Sequence, residues 1–184
     1  MVLIDLDDSD VRIVKLESTP KHKELIKDFD CGDADLNEFL KNDSFRYFEG
    51  HLAVTYLIVY GDENRVIGFY CLSSDSIKID GEDKEALVEL DKDLEIYPAM
   101  KIGRLGIHTG YKRKHIGTFI IKQVAGTALL YSRDFGCRFV TVDAYNEEVP
   151  KAFYANNGFK ELTASKKKKR RNVPMYLDLL KFIS

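Results

Sequence analysis

Tyr111-Lys112-Arg113-Lys114-His115-Ile116-Gly117-Thr118 is the stretch whose residue types and spacing point most directly to chemistry. It ends where a helical apolar periodicity begins. A helix leaves the N–H groups of its first turn unpaired, and its aligned peptide dipoles add positive potential there. Lys112, Arg113 and Lys114 add full charges, and Gly117 lets a ligand come close to the backbone. Such a loop suits a pyrophosphate; a solvated basic turn before a helix uses the same residues. Tyr154 is the second candidate. It lies four residues before Gly158, near the end of a short helical pattern. Facing a cleft, its hydroxyl can give a proton; facing the sheet, it is core. The third feature is the cationic run Lys166-Lys167-Lys168-Lys169-Arg170-Arg171, which reads either as phosphate contacts or as a solvated loop tip.

Elements must hold these groups in place. Val11–Glu17 alternates apolar and polar residues as an edge strand does. Lys23–Asp28 and Asp33–Phe48 read as helices, the second capped by Asp33 or Asp35. Leu52–Tyr60 and Arg65–Ser73 are strands joined by the turn Gly61–Asn64, and Ile77–Ile79 is a further short strand. Gly81–Glu95 is acidic and reads as a surface excursion. Ala99–His108 is a strand, Thr118–Phe135 a helix closed by Gly136, and Arg138–Ala144 a strand. Val149–Asn157 is a helix ended by Gly158. Phe159–Leu162 and Met175–Phe182 form the last strand pair. The expectation is one α+β (mixed α/β) domain, 1–184, with a mostly antiparallel sheet of six to seven strands and about four helices.

Composition narrows the field. The chain has 184 residues, 28 Lys and Arg against 30 Asp and Glu, and a formal charge of −2. A nucleic-acid partner would therefore meet a local patch and not a basic surface. No apolar run approaches the length that crosses a bilayer, roughly 18 residues, and the acidic start lacks the basic region of a signal peptide. Three scattered cysteines fit reduced thiols in a cytoplasm, with no disulfide frame or zinc pair. His108 and His115 have no carboxylate or thiol at ligand spacing, so no metal is expected. Cys71 and Cys137 lie inside strand-like runs and read as buried packing residues.

The ordered set of segments resembles the GNAT N-acetyltransferases from Leu52 to Phe159. The family's phosphate loop, Arg/Gln-x-x-Gly-x-Gly/Ala, is matched by Lys112, His115 and Gly117, with histidine in place of the first glycine. Ile102-Gly103-Arg104-Leu105-Gly106-Ile107 resembles the family's splayed fourth strand, and Ala152-Phe153-Tyr154 with Gly158-Phe159 its "FY…GF" signature. The resemblance implies acetyl-CoA bound at Leu105, Ile107, Lys112, Arg113, Lys114, His115, Ile116, Gly117, Thr118 and Asn146. It implies Tyr154 as the acid that serves the leaving thiolate.

A narrower likeness is to the TacT-like GNAT toxins. It is carried by Phe29-Asp30-Cys31-Gly32-Asp33-Ala34-Asp35-Leu36-Asn37-Glu38-Phe39-Leu40, by Val66–Ser73, and by Tyr97-Pro98 leading into Ile102–Leu105. It implies acetylation of the α-amine of aminoacyl-tRNA, a small antitoxin partner, and a homodimer, as is common in the family. Arg104, Lys167, Lys168, Lys169, Arg170 and Arg171, with Arg46 as an extension, would then meet RNA. Where many relatives carry a strand-four glutamate base, this strand carries Lys101 and Arg104. An α-amine with pKa about 7.7–8.0 needs less help losing its proton than a lysine near 10.4, which favours an α-amine acceptor. A small amine or a peptide is the competing acceptor. The substituted glycine motif leaves a non-catalytic CoA-binding domain as the third reading, against which Tyr154 and its flanks argue.

Overall fold

The computed structural model describes residues 10–87, 93–163 and 171–183. Among the described residues, seven strands are hydrogen-bonded in the order β1-β2-β3-β4-β5-β7-β6. The β4–β5 pair is parallel, and β1–β2, β2–β3, β5–β7 and β6–β7 are antiparallel. The chain divides into two compact units. One holds residues up to Ser73 and Gly103–Lys122; the other holds Ser74–Ile102 and Gln123 onward.

In the first unit, β1 (Val11–Lys15) pairs with β2 (Val54–Tyr60), which pairs with the first part of β3 (Arg65–Lys78). Thr19 caps α1 (Pro20–Leu25) by accepting from the His22 N–H, and Pro20, which has no N–H to leave unpaired, opens the helix. That cap sets the helix three residues earlier than the apolar spacing indicates. Asp33 caps the next helical run by accepting from the Leu36 N–H at 3.1 Å. α2 (Ala34–Glu38), a π-helical turn (Phe39–Asp43) and α3 (Ser44–Glu49) follow one another without leaving helical backbone angles. Phe39, Leu40 and Phe45 go inward and meet Leu16, Ile26, Phe29, Leu57, Val59, Val66 and Phe69 in this unit's core.

The second unit holds the rest of β3, α4 (Gly81–Glu85), the first part of β4 (Ile96–Ile107), β5 (Phe139–Tyr145), α6 (Glu148–Asn156), β6 (Lys160–Glu161), β7 (Asn172–Asp178) and α7 (Leu180–Ile183). α5 (Ile116–Tyr131) starts in the first unit and ends in this one. Ile77, Ile79, Leu87, Tyr97, Ala99, Phe139 and Tyr176 form its core cluster.

Three expectations change. Ile77–Ile79 is not a separate strand but the end of the 14-residue β3, because Ser73–Ser76 keeps the in–out alternation without a turn residue. The last segment does not run as strand to Phe182: the Asp178 carboxylate accepts from the Leu180 N–H at 3.1 Å and turns the chain into α7. The acidic stretch is not wholly surface. Asp83 is buried and accepts from the Thr163 N–H at 2.7 Å and the Tyr176 hydroxyl at 3.5 Å. Burial, then the Asp83 charge, pushes Tyr176 up to about 12. The flanking helices comprise seven α-helical segments among the described residues, several of a single turn. Among them, none is long and apolar enough to cross a membrane.

Candidate active site

The phosphate-loop candidate belongs to the first unit. β4 ends at Ile107 and hands over to a 3-10 turn, Thr109–Tyr111, whose Tyr111 N–H donates to the His108 carbonyl at 2.9 Å. Lys112 and Arg113 are exposed, and the Lys114 ammonium lies 5.7 Å from the Tyr111 ring centroid. Arg113 and His115 both take positive φ, 62° and 58°. His115 is the residue standing where the family motif has its first glycine, and its backbone adopts the left-handed conformation that glycine favours. The loop thus carries a left-handed non-glycine residue immediately before the helix.

α5 begins at Ile116, and its first internal bond runs from the Phe119 N–H to the His115 carbonyl at 3.0 Å. The N–H groups of Ile116, Gly117 and Thr118 thus precede the helical ladder. Ile116 is buried and anchors the turn, while Gly117 and Thr118 are half-buried. A cationic loop with the leading amides of a 16-residue helix fits the diphosphate of a nucleotide cofactor.

Left-handed placement costs an ordinary residue about 1–2 kcal/mol, and glycine's extra chain freedom costs roughly 0.5–1 kcal/mol. His115→Gly is therefore expected to shift the melting temperature by only a few degrees. The β-branched His115→Val should lose stability. Thermal unfolding of the two variants checks this; equal behaviour would remove the backbone argument.

Leu105 and Ile107, the expected partners of a pantetheine arm, are half-buried on β4. The β4–β5 register ends at Ile102↔Val142, and β4 runs on through Gly103–Ile107. Gly106 is buried, and a side chain there would meet the Phe69 ring. Arg104 is exposed; its guanidinium lies 5.2 Å from the Phe39 ring centroid and donates to the Gly103 carbonyl at 2.9 Å. Arg46 pairs with Asp43 on the surface at 2.8 Å. Cys71 is buried and Cys137 half-buried, and burial pushes both thiols up, which keeps them protonated and poor nucleophiles.

Tyr154 belongs to the second unit. It lies on α6, 8% exposed, between the rings of Phe153 at 5.0 Å and Phe159 at 5.3 Å. Gly158, at φ 88°, ends the helix and brings Phe159 back against Tyr154. Burial pushes the Tyr154 phenol above the usual tyrosine value, so it is held protonated. Asn146 follows β5 and is exposed; its N–H donates to the Arg171 carbonyl at 2.9 Å. The Arg171 guanidinium lies 6.0 Å from the Tyr145 ring centroid. Lys167, Lys168, Lys169 and Arg170 lie outside the described residues. Lys101 and Asp143 pair at 2.6 Å; the strand-four cation thus has a β5 carboxylate beside it.

The sequence reading missed the groups that support the loop. Asp30 and Asn37 hydrogen-bond each other at 2.7 Å, and the Asp30 carbonyl accepts from the Thr109 N–H at 2.9 Å. The spacing Asp30-x-Gly32, an Asx-turn pattern, was the available signal.

No family model matches the chain. Among solved structures, a tyrosine-to-phenylalanine mutant of KacT superposes with a TM-score of 0.77 at 22% identity, covering 95% of this chain and 98% of that one. AtaT complexed with acetyl-methionyl-tRNAfMet gives 0.76 at 21% identity, covering 95% and 98%. A tyrosine-to-phenylalanine mutant of the AtaT toxin, bound to the C-terminus of the antitoxin AtaR and acetyl-CoA, gives 0.69 at 19% identity, covering 94% and 95%. These likenesses span nearly the whole chain and show its fold, the α+β fold of the GNAT acetyltransferases.

Proposed function

We propose that this protein is an acetyl-CoA-dependent N-acetyltransferase, built as a single domain, that transfers an acetyl group to a primary amine by direct attack. The single observation that carries the reading is the loop Lys112–Thr118. Its cations, its left-handed His115 and the leading amides of α5 fit a diphosphate on the scaffold that AtaT, solved with acetyl-CoA, also has. When bound, acetyl-CoA supplies the thioester. Ile116, Gly117 and Thr118 would hold its diphosphate through their N–H groups, while Lys112, Arg113 and Lys114 offset the charge. Leu105 and Ile107 would align the arm as an added strand aligns on an edge. Tyr154 would donate a hydrogen bond to the departing sulfur. Its burial makes full proton transfer uphill, so stabilising the thiolate is its role.

The α-amine of aminoacyl-tRNA is the acceptor we favour. The support is the likeness, over 95% of the chain, to AtaT holding acetyl-methionyl-tRNAfMet. The cationic run ending at Arg171 is a second, independent feature suited to phosphates. In that setting a small antitoxin is the natural partner, as AtaR is for AtaT. A homodimer and a reducing cytoplasm belong to the same reading.

The test is release of free CoA thiol with charged tRNAs, polyamines, free amino acids and peptides. Turnover on charged tRNA that weakens steeply with salt is expected. Turnover only on small amines or peptides would remove the tRNA acceptor. Binding of acetyl-CoA without turnover on any acceptor would leave a binding domain.

A further inference from the structure

The segment Phe29–Leu40 is the part of the sequence that the proposed chemistry does not use, yet the structure joins it to the phosphate loop. Asp30 Oδ1 accepts from the Gly32 N–H at 2.8 Å and from Asn37 Nδ2 at 2.7 Å. Asn37 Oδ1 accepts from the Cys31 N–H at 3.0 Å, and the Cys31 thiol lies 3.2 Å from the same oxygen. These bonds close the turn in which Gly32 takes φ 77°. The backbone bond to Gly32, then the bond to Asn37, hold the Asp30 carboxyl below its usual value, so it is ionised at neutral pH and can accept both.

The closed turn meets the loop at three places. The Asp30 carbonyl accepts from the Thr109 N–H at 2.9 Å. The Phe29 ring packs edge-on against the His108 ring at 5.8 Å, and that ring packs against Tyr111 at 5.8 Å. Gly32 lies so close that a side chain there would touch Thr109 and approach the Lys112 ammonium. His108 Nδ1 in turn accepts from the Gly110 N–H at 3.1 Å. His108, Thr109, Gly110 and Tyr111 therefore each have a bond or packing contact that leads back to this turn, directly or through His108.

We propose that Asp30 and Asn37 are positioning residues for the cofactor's phosphates: they shut the turn that fixes Thr109 and the approach of Lys112, and so set where the loop's cations and amides stand. The inference rests on the acetyl-CoA reading above. It assigns a role to side chains that touch no cofactor, and it predicts that their loss weakens cofactor binding without altering the acceptor.

The experiment is CoA titration by calorimetry, with steady-state kinetics and thermal unfolding, on wild type, Asn37→Ala, Asn37→Asp, Asp30→Asn and the Asp30→Asn/Asn37→Asp pair. Asn37→Ala is expected to raise Kd for CoA and KM for acetyl-CoA about tenfold, the effect of losing one network hydrogen bond. The acceptor KM, and kcat at saturating acetyl-CoA, should stay within about twofold. Asn37→Asp sets two carboxylates face to face and should bind more weakly still. Adding Asp30→Asn removes the repulsion and should recover part of the loss, a non-additivity that a merely structural role would not produce in Kd. Variants that melt earlier yet bind CoA as wild type does would overturn the proposal and leave the function intact. If Asn37→Ala does not fold, the milder Asp30→Asn decides: an unchanged Kd there is equally fatal. Wild type that binds no CoA would instead sink the acetyltransferase reading itself, and this inference with it.

Discussion

Replacing Tyr154 with phenylalanine should lower kcat about a hundredfold and leave KM for acetyl-CoA within about twofold. The ring survives, so its contacts with Phe153 and Phe159 survive, and only the hydroxyl is lost. A free tyrosine at about 10 already holds its proton more tightly than a thiol at about 8.5, and burial widens that gap. The hydroxyl therefore keeps its proton throughout the physiological range. Below pH 9, the wild-type rate should show no descending limb that disappears in the phenylalanine variant; such a limb would contradict the assigned role. Stability carries the matching sign. Above about pH 10 the unfolded chain releases this proton while the folded chain keeps it, so folding stability falls as pH rises. Tyr70 is raised by burial in the same way, so the variant should lose only part of that alkaline slope. Unchanged kcat in Tyr154→Phe would return Tyr154 to the core-packing reading.

Gly106→Ala should destabilise the protein by about 1–3 kcal/mol, as overpacking of a filled core does. The added carbon would sit 2.6 Å from Cε1 of Phe69. Phe69 is fully buried and has little room to swing aside: Phe29 packs on it at 5.5 Å and Phe39 at 6.4 Å. Leu105 and Ile107 flank the substituted residue, so displacement of β4 there should weaken CoA binding as well. Phe69→Leu removes the ring atom that clashes. The double variant Gly106→Ala/Phe69→Leu should lose less than the two single losses added together. Denaturant unfolding measures all four proteins. A loss below about 0.5 kcal/mol in Gly106→Ala would mean that Phe69 yields more easily than its packing indicates.

The left-handed His115 shows how the sequence can understate a site. Read by residue type, histidine for glycine looks like a decayed motif. Its backbone nevertheless takes the left-handed conformation that glycine favours. The energetic cost of that angle for a non-glycine residue is small enough for the rest of the loop to carry.

What the sequence determined by itself is what depends on neighbours along the chain. Apolar periodicity located β1, β2, the Asp33-capped helix, α5 and α6, because strand and helix repeats are local. Gly158 marked the end of α6, and the cations before α5 marked the loop, because both effects act within a turn. The sequence fell short for two reasons: local caps that overrode the apolar pattern, and contacts between distant segments. Thr19 and Pro20 fixed α1 earlier than its apolar residues indicated, and Asp178 turned the last strand into α7. The acidic stretch hid a buried carboxylate, because nothing in its composition tells that Asp83 meets Thr163 and Tyr176, some 80 to 93 residues away. The same holds for Asp30 and Asn37. Their pattern shows a turn, but only the tertiary fold brings that turn's carbonyl to the Thr109 amide. Hydrogen bonds between distant segments are set by where the sheet and core place those segments, and no short window of sequence contains both ends.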